Sequence, residues 1–486
     1  MSRSSYATRR SSLLAVLPAF LASILLLRYL WSVGFDAVKQ GADTSGGWRE
    51  GNTAVGGVFN ASIADGERSP PVQLHVNKRF GTKARYYAPP RDSHFADVPE
   101  HCELVHLHLL VRHGTRNPRA GDIAKFRKLE AHLRKHRQPH WPEWLVQWRN
   151  PYVEGEANAL VAQGWRELAE LAKRDVGRYK RWLGDTPGAR HAGTWYASSS
   201  SAQTVNSARA YGSVFSGRLL PKRALHLVKK KDDKEISITD ACPRWLQLAA
   251  DKSPIKKTLA PFKKRYLPKI LKRISRQLQM KVGNGFYKIA VKLCSYEYAH
   301  LGRVDAWCEL LQPGISSADD ADNSDDVVEG LDYSDFSEDV SRYFKSGGGR
   351  PLNERIGCLL LSRILEEMQA AAQSTDPRIK SHIRFGHVGT ITVVLTQLGM
   401  YEEKPDLLNH HRQFRMSRIS PFAANLRFEL LRCQGKLSVR TLLNETPIRI
   451  LGCPSDTDLC PWPIFASILK NRIGHWDYDE LCRAVH

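Results

Sequence analysis

Past residue 35 the chain has no run of about 18 apolar residues, so only its N-terminus can be embedded in a membrane. Its nine cysteines include no CxxC pair, which removes the usual spacing of zinc sites and thioredoxin-like redox motifs. Between Lys252 and Lys281 there is no aspartate or glutamate, although that stretch holds eleven lysines and arginines. Acidic residues are short overall: 72 Lys and Arg against 50 Asp and Glu leave a net charge of +22. A surplus of that size suits an acidic partner, whether nucleic acid, a membrane surface or a polyanionic small molecule. With 42% apolar residues among 486, the chain is neither disordered nor fibrous and can bury a sizeable core. The length fits about three domains of ~150 residues, or one large domain with an insertion.

The N-terminus has the layout of a secretory or anchoring signal. Arg3, Arg9 and Arg10 precede an apolar run from Leu13 to Leu27, and Tyr29 to Phe35 continue it beyond Arg28. With Arg28 snorkelling, residues 1–35 suit a signal-anchor; a cleaved signal peptide and a soluble segment are the alternatives. No small-x-small cleavage site follows at once, which favours the anchor. The arginines would then stay cytosolic, placing the rest of the chain in the lumen or outside. Cys294 with Cys308 and Cys453 with Cys460 are close enough in sequence to pair, and one cysteine of nine must stay free or pair between chains. Asn60-Ala61-Ser62 and Asn444-Glu445-Thr446 are glycosylation sequons that fit the same compartment.

Residues 36–75 are rich in Gly, Ser, Thr and Asp without periodicity and read as a flexible stalk. Residues 104–111 are nearly all apolar and predict a buried strand. Helical spacing marks 158–176 and 353–370, and a helix is expected near 204–216 after a strand at 194–200. A short strand at 381–386 ends at His387, with a helix over 390–399 and late strands at 424–432 and 437–443. Strands alternating with helices predict an α/β sheet with helices on both faces. Residues 76–220 and 346–486, the latter with a C-terminal extension, would form that sheet domain. Residues 221–345 would be an inserted, mostly helical, basic domain. Within it, 315–339 read as a solvated acidic loop, and the basic run at 252–281 as either a solvated helix face or a surface that attracts a polyanion.

The sharpest signal directly follows the first strand: Arg112-His113-Gly114-Thr115-Arg116-Asn117-Pro118. A histidine at a strand end can act as a nitrogen nucleophile toward phosphorus. Arg112 and Arg116 flank it with planar, permanently charged forks that match phosphate oxygens. Gly114 lets the backbone approach closely. In an open α/β sheet, ligands bind at the carboxyl ends of strands.

This RHGxRxP motif resembles that of the histidine acid phosphatases. Phe80-Gly81-Thr82-Lys83 with Arg85-Tyr86 upstream is similar to the multiple inositol polyphosphate phosphatase branch. So are Cys294-Ser295-Tyr296-Glu297, Trp307-Cys308, Pro421-Phe422-Ala423-Ala424-Asn425-Leu426 with Cys433, and Leu442-Leu443-Asn444-Glu445. The resemblance covers roughly residues 80–450. It implies hydrolysis of inositol polyphosphates such as inositol hexakisphosphate. His113 would carry a phosphohistidine and His387 would complete the catalytic pair. Arg112, Arg116, Gln203 and Lys83 would bind substrate. No metal, cofactor or nucleic acid is expected, and a helical domain would cover the site.

Two positions depart from the pattern. The branch normally shows His-Ala-Glu-Thr around its second histidine, and this chain reads His387-Val388-Gly389-Thr390, so Gly389 stands where the proton-donating carboxylate would be. The third arginine of the family falls on Gln203, and Arg209 lies six residues on. Removing a general acid costs about 10²–10⁴-fold. The readings are therefore an active inositol polyphosphate phosphatase with reduced turnover, an impaired homologue that binds inositol polyphosphates, and a phosphohistidine phosphatase of smaller esters.

Overall fold

The central strand, β1 (Cys102–Arg112), alternates its side chains between two hydrophobic layers. Leu107, Leu109 and Val111 enter one, and Leu110 enters the other. The computed structural model describes residues 79–90, 97–312, 330–374, 378–406, 409 and 412–484. The signal segment, the stalk, the Asn60 sequon and the acidic residues 313–329 lie outside the described residues.

Seven further strands complete the sheet: β2 (Thr194–Ser199), β3 (His226–Val228), β4 (Ser381–Gly386), β5 (Asn425–Cys433), β6 (Lys436–Leu443), β7 (Thr446–Pro447) and β8 (Leu459–Pro461). Their order is β3-β2-β4-β1-β5-β6-β7, with β8 also on β6. Strands β3, β2, β4 and β1 run parallel, and β5 and β6 add antiparallel. The strands expected at 104–111, 194–200, 381–386, 424–432 and 437–443 are all present.

Nine helices carry the rest of the argument: α1 (Ala120–Lys135), α2 (Ala162–Leu183), α3 (Ala202–Phe215), α4 (Ser253–Leu278), α5 (Asn284–Leu301), α6 (Gly330–Ser346), α7 (Cys358–Gln373), α8 (Val388–Gln397) and α9 (Trp462–Ile473). α2 and α3 place Leu168, Leu171, Ala208 and Tyr211 on the sheet face that holds Ile383 and Phe385. α7, α8 and α9 cover the other face with Leu360, Ile364, Val393 and Phe465 against Leu426, Phe428 and Leu430. The expected helices on both faces are thus observed. Each fully buried aliphatic or aromatic side chain contributes roughly 1.5–3 kcal/mol through burial.

A third layer is helical. Ile123 and Phe126 of α1, Ile270 and Ile274 of α4, Leu293 and Tyr296 of α5, and Leu331 and Phe336 of α6 form one core, which also takes in Leu145 and Tyr152. The basic run is α4. It turns Tyr266, Leu267, Ile270, Ile274 and Leu278 inward and leaves Lys256, Lys257, Lys263, Lys264 and Arg265 exposed.

The stretch 315–339 is not a solvated loop over its second half. Residues 330–346 form α6, with Leu331, Phe336 and Val340 buried along one side. Asp335 and Asp339 are buried as well, because Arg412 donates to both at 2.9 Å and Arg415 donates to Asp335 at 3.0 Å. Buried carboxylates persist when paired in this way.

Disulfides join Cys294 to Cys308 and Cys453 to Cys460, the two pairs expected from spacing. Two long-range bonds join Cys102 to Cys433, across β1 and β5, and Cys242 to Cys482. Cys358 is the free thiol, and it is buried.

Candidate active site

Parallel register places Arg112 beside Gly386, so β1 and β4 deliver His113 and His387 side by side at their carboxyl ends. His113 N–H donates to the Gly386 carbonyl at 3.1 Å. The two imidazole rings meet edge to face, with centroids 5.5 Å apart. The His113 Nδ1 lies 2.9 Å from the Gly114 carbonyl. A carbonyl only accepts, so Nδ1 carries the hydrogen and Nε2 keeps its lone pair. Burial, then the charges of Arg112, Arg116 and His387, holds the imidazole pKa well below the ordinary histidine value, so the ring is neutral near pH 7.

The loop after β1 is pinned by α2 and α3. Thr115 donates its N–H and its hydroxyl to the Glu167 carboxylate, both at 2.8 Å. Gly114 N–H donates to Ser207 Oγ at 3.1 Å. A Cβ on Gly114 would lie 2.6 Å from both the Gly164 carbonyl and Leu168, so only glycine allows this approach.

Arg112 lies over Phe422, its Cζ 4.7 Å from the ring centroid, and donates through one terminal nitrogen to the carbonyls of Thr82 and Ser420 at 2.6 Å. Burial, with Arg116 and Arg342 nearby, pushes its pKa down to about 9. Arg116 donates to the Asn117 carbonyl at 2.7 Å. The Nε atoms of both arginines are enclosed with no acceptor. Two cations with unspent donors beside a neutral histidine are a donor set for a tetrahedral oxyanion.

His387 stands at the N-terminus of α8, and its backbone N–H donates to Thr390 Oγ1 at 3.2 Å. Its Nε2 faces the hydroxyls of Ser199 (3.2 Å) and Ser201 (3.4 Å). Burial pushes its pKa down to about 3, helped by Lys230, Arg112, Arg116 and Arg119. The charge of Lys83, in the turn Gly81–Lys83, and then that of Arg342 hold the Glu338 carboxylate below the ordinary range despite its burial. Thr82 and Arg342 both hydrogen-bond Glu338, at 2.8 and 3.0 Å. Gln203 is the second residue of α3. Its carbonyl accepts the Ser207 hydroxyl at 2.7 Å, which sets the start of that helix against the His113 loop.

These positions decide the family once they are set beside known proteins. Residues 103–444 match the Histidine phosphatase superfamily (branch 2). The chain belongs to this family. Chicken multiple inositol polyphosphate phosphatase 1 is 27% identical to this branch-2 phosphatase, over 83% of this chain and 92% of its own. The human protein of that name is 25% identical, over 78% and 84%. Among solved structures, the D. castellii phytase superposes with a TM-score of 0.65 at 16% identity, covering 84% of this chain and 87% of its own. The Bifidobacterium longum multiple inositol polyphosphate phosphatase complex with inositol hexasulfate does so at 0.58 and 13%, covering 82% and 98%.

In this branch-2 histidine phosphatase the structure brings Arg112, His113, Arg116 and His387 together, with Lys83 one shell out beside Glu338. Gly389 occupies the second position of α8 and carries no acid. Sequence reading missed Arg119, Lys230, Arg342 and Lys345. Lys230 and Arg119 act on His387, Arg342 acts on Arg112, and burial with the charges of Arg342, Lys252 and Arg119 lowers the Lys345 ammonium, so these cations form a rim within electrostatic reach of the site. Arg119 was legible as the next cation after the motif. The others come from loops and helices with no local mark of their destination.

Proposed function

We propose that the chain hydrolyses phosphate monoesters of inositol polyphosphates through a phosphohistidine on His113 Nε2. The observation that carries this is the His113 ring itself: Nδ1 is spent on Gly114, and Nε2 is a neutral nucleophile under the charges of Arg112 and Arg116, which retain free donors. A substrate phosphoryl group would sit on Arg112 and Arg116, with His387 opposite. Nε2 attacks phosphorus, the ester P–O bond breaks, and the inositol hydroxyl leaves. Water then attacks the phosphohistidine and frees the ring. Arg112 and Arg116 hold the equatorial oxygens throughout, where preorganised charge lowers the barrier most.

The rim of Arg119, Lys230, Arg342 and Lys345 supports a substrate with more than one phosphate, since a monoester needs only the inner pair. The relatives' names point to the same class. Gln203 contributes from the start of α3 and Lys83 from the end of the turn Gly81–Lys83. Gly389 favours a second reading, in which binding outlasts turnover. Measuring phosphate released from inositol hexakisphosphate between pH 4 and 8, alongside equilibrium binding, tests both. Release sustains the first, and tight binding without release sustains the second.

Four disulfides support a secretory or luminal location. Attachment to the membrane through residues 13–35 completes that reading. No described helix is long and apolar enough to cross a membrane. Of the two sequons, Asn444 has its amide committed to the Arg418 carbonyl at 2.7 Å.

A further inference from the structure

A phosphatase of this kind must protonate the oxygen that leaves, and residue 389 supplies no acid. The space beside Gly389 is occupied from another part of the chain. A Cβ built on Gly389 would lie 3.2 Å from Thr239 Oγ1. The residue after Thr239 is Asp240, whose Oδ2 lies 3.0 Å from the Lys230 ammonium. Lys230 follows β3 by two residues. The last residue of β3, Val228, is registered against Ser199, whose hydroxyl is 3.2 Å from His387 Nε2. After burial, Lys230 is the largest influence opposing a proton on His387.

The segment between Lys230 and Asp240 is firmly held. Its Ile236 carbonyl accepts the Thr390 hydroxyl at 2.6 Å, in the first turn of α8. Asp233 accepts from Ile236 N–H at 2.8 Å and from the Ser237 hydroxyl at 3.0 Å. Tyr478 donates to the Ile238 carbonyl at 2.7 Å. The pair is therefore fixed against the helix that carries Gly389, and its side chains keep access to solvent for proton exchange.

We propose that Lys230, steadied by Asp240, gives the proton to the leaving oxygen in place of the carboxylate absent at Gly389. The inference rests on the phosphohistidine reading above. In the first step the His113 Nε2–P bond forms, the P–O bond breaks, and the departing alkoxide takes a proton from the Lys230 ammonium. In the second step water attacks phosphorus and gives its proton to the Lys230 amine, and the P–N bond breaks. Charge and atoms return to the start, and Asp240 stays ionised throughout.

The test compares Lys230→Met and Lys230→Arg on inositol hexakisphosphate and on p-nitrophenyl phosphate. The aryl ester leaves as a phenolate that needs little protonation. Both variants should lower kcat on the inositol ester about 10²-fold and on the aryl ester far less. Arginine keeps the charge but does not release its proton, so it should not rescue. Equal losses on both esters, or full rescue by arginine, would overturn the assignment and leave a charge that only binds. No release from either ester by the wild-type protein would remove the phosphatase reading itself. Melting temperatures unchanged from wild type confirm that the variants are folded, as expected for a half-exposed side chain.

Discussion

His113 and His387 face each other edge to face at 5.5 Å between ring centroids, each at the end of its own strand of a parallel pair. Of the two, only His113 has its Nδ1 tied to a backbone carbonyl in its own loop, which leaves its Nε2 with a free lone pair. His113→Ala should abolish phosphate release from every ester, because nothing else beside Arg112 and Arg116 can form the covalent intermediate. A steady-state assay with malachite green reads this directly. Turnover at the wild-type rate would disprove the assigned nucleophile.

In a Lys230→Met background, Gly389→Glu should raise turnover on inositol phosphates by ~10-fold or more, given the worth of a general acid. Gly389 has no left-handed backbone angle, and its new Cβ meets only the Thr239 side chain at 3.2 and 3.6 Å. The substitution should therefore fold. The gain should be larger for inositol esters than for p-nitrophenyl phosphate, and comparing kcat on the two esters checks it.

Gly114→Ala should be far more damaging than its one added methyl suggests. The Cβ would enter the space of the Gly164 carbonyl and of Leu168, both 2.6 Å away, and the neighbour on α2 is backbone that cannot turn aside. The expected result is a lower melting temperature together with loss of turnover, since the shifted loop carries His113. An active variant with an unchanged melting temperature would contradict the packing described.

Stability should fall on acidification through histidines under the sheet. Burial pushes His108 and His382 down to about 4, and Glu367 sits beside both. In the unfolded chain these rings titrate near 6.5, so between about 6.5 and 4 the unfolded state binds more protons. Their contribution is complete above pH 6.5 and is lost as pH drops through 4. Melting temperature should hold steady from pH 8 to about 6.5 and decline below it. A rise on acidification would refute the assignment.

Arg412→Ala should cost about 3–5 kcal/mol in urea unfolding, because it leaves Asp339 buried without its counter-charge and Asp335 with Arg415 alone. α6 also carries Glu338 and Arg342, so phosphate release should fall with stability. A loss below ~1 kcal/mol would show that Arg415 alone can hold the pair.

The sheet was readable because its strands have local signatures. Residues 104–111 are too apolar to be anything but buried, and 381–386 run straight into a histidine and a helix. The RHGTRNP motif exposed the proposed nucleophile and both inner arginines for the same reason: they are neighbours in sequence. α6 was misread because Asp335 and Asp339 look solvated until Arg412 and Arg415 are brought to them from more than 70 residues away. Leu331, Phe336 and Val340 were the available signal, masked by the acids between them. Lys230 and Asp240 were invisible as a pair because only the fold, which sets Thr239 beside Gly389, brings their ion pair toward the site.

The parallel pairing at the middle of the sheet has a consequence for synthesis. Leu107 of β1 must wait for Ser381 of β4, about 270 residues later in the chain. At 5–20 residues per second, that is roughly 15–55 s during which the most apolar strand has left the ribosome without its partner. Its two neighbours, β4 and β5, both begin after residue 380. The slow step of maturation should then be closure of the central sheet around β1, and the nascent chain should depend on a holding chaperone until its final hundred residues emerge.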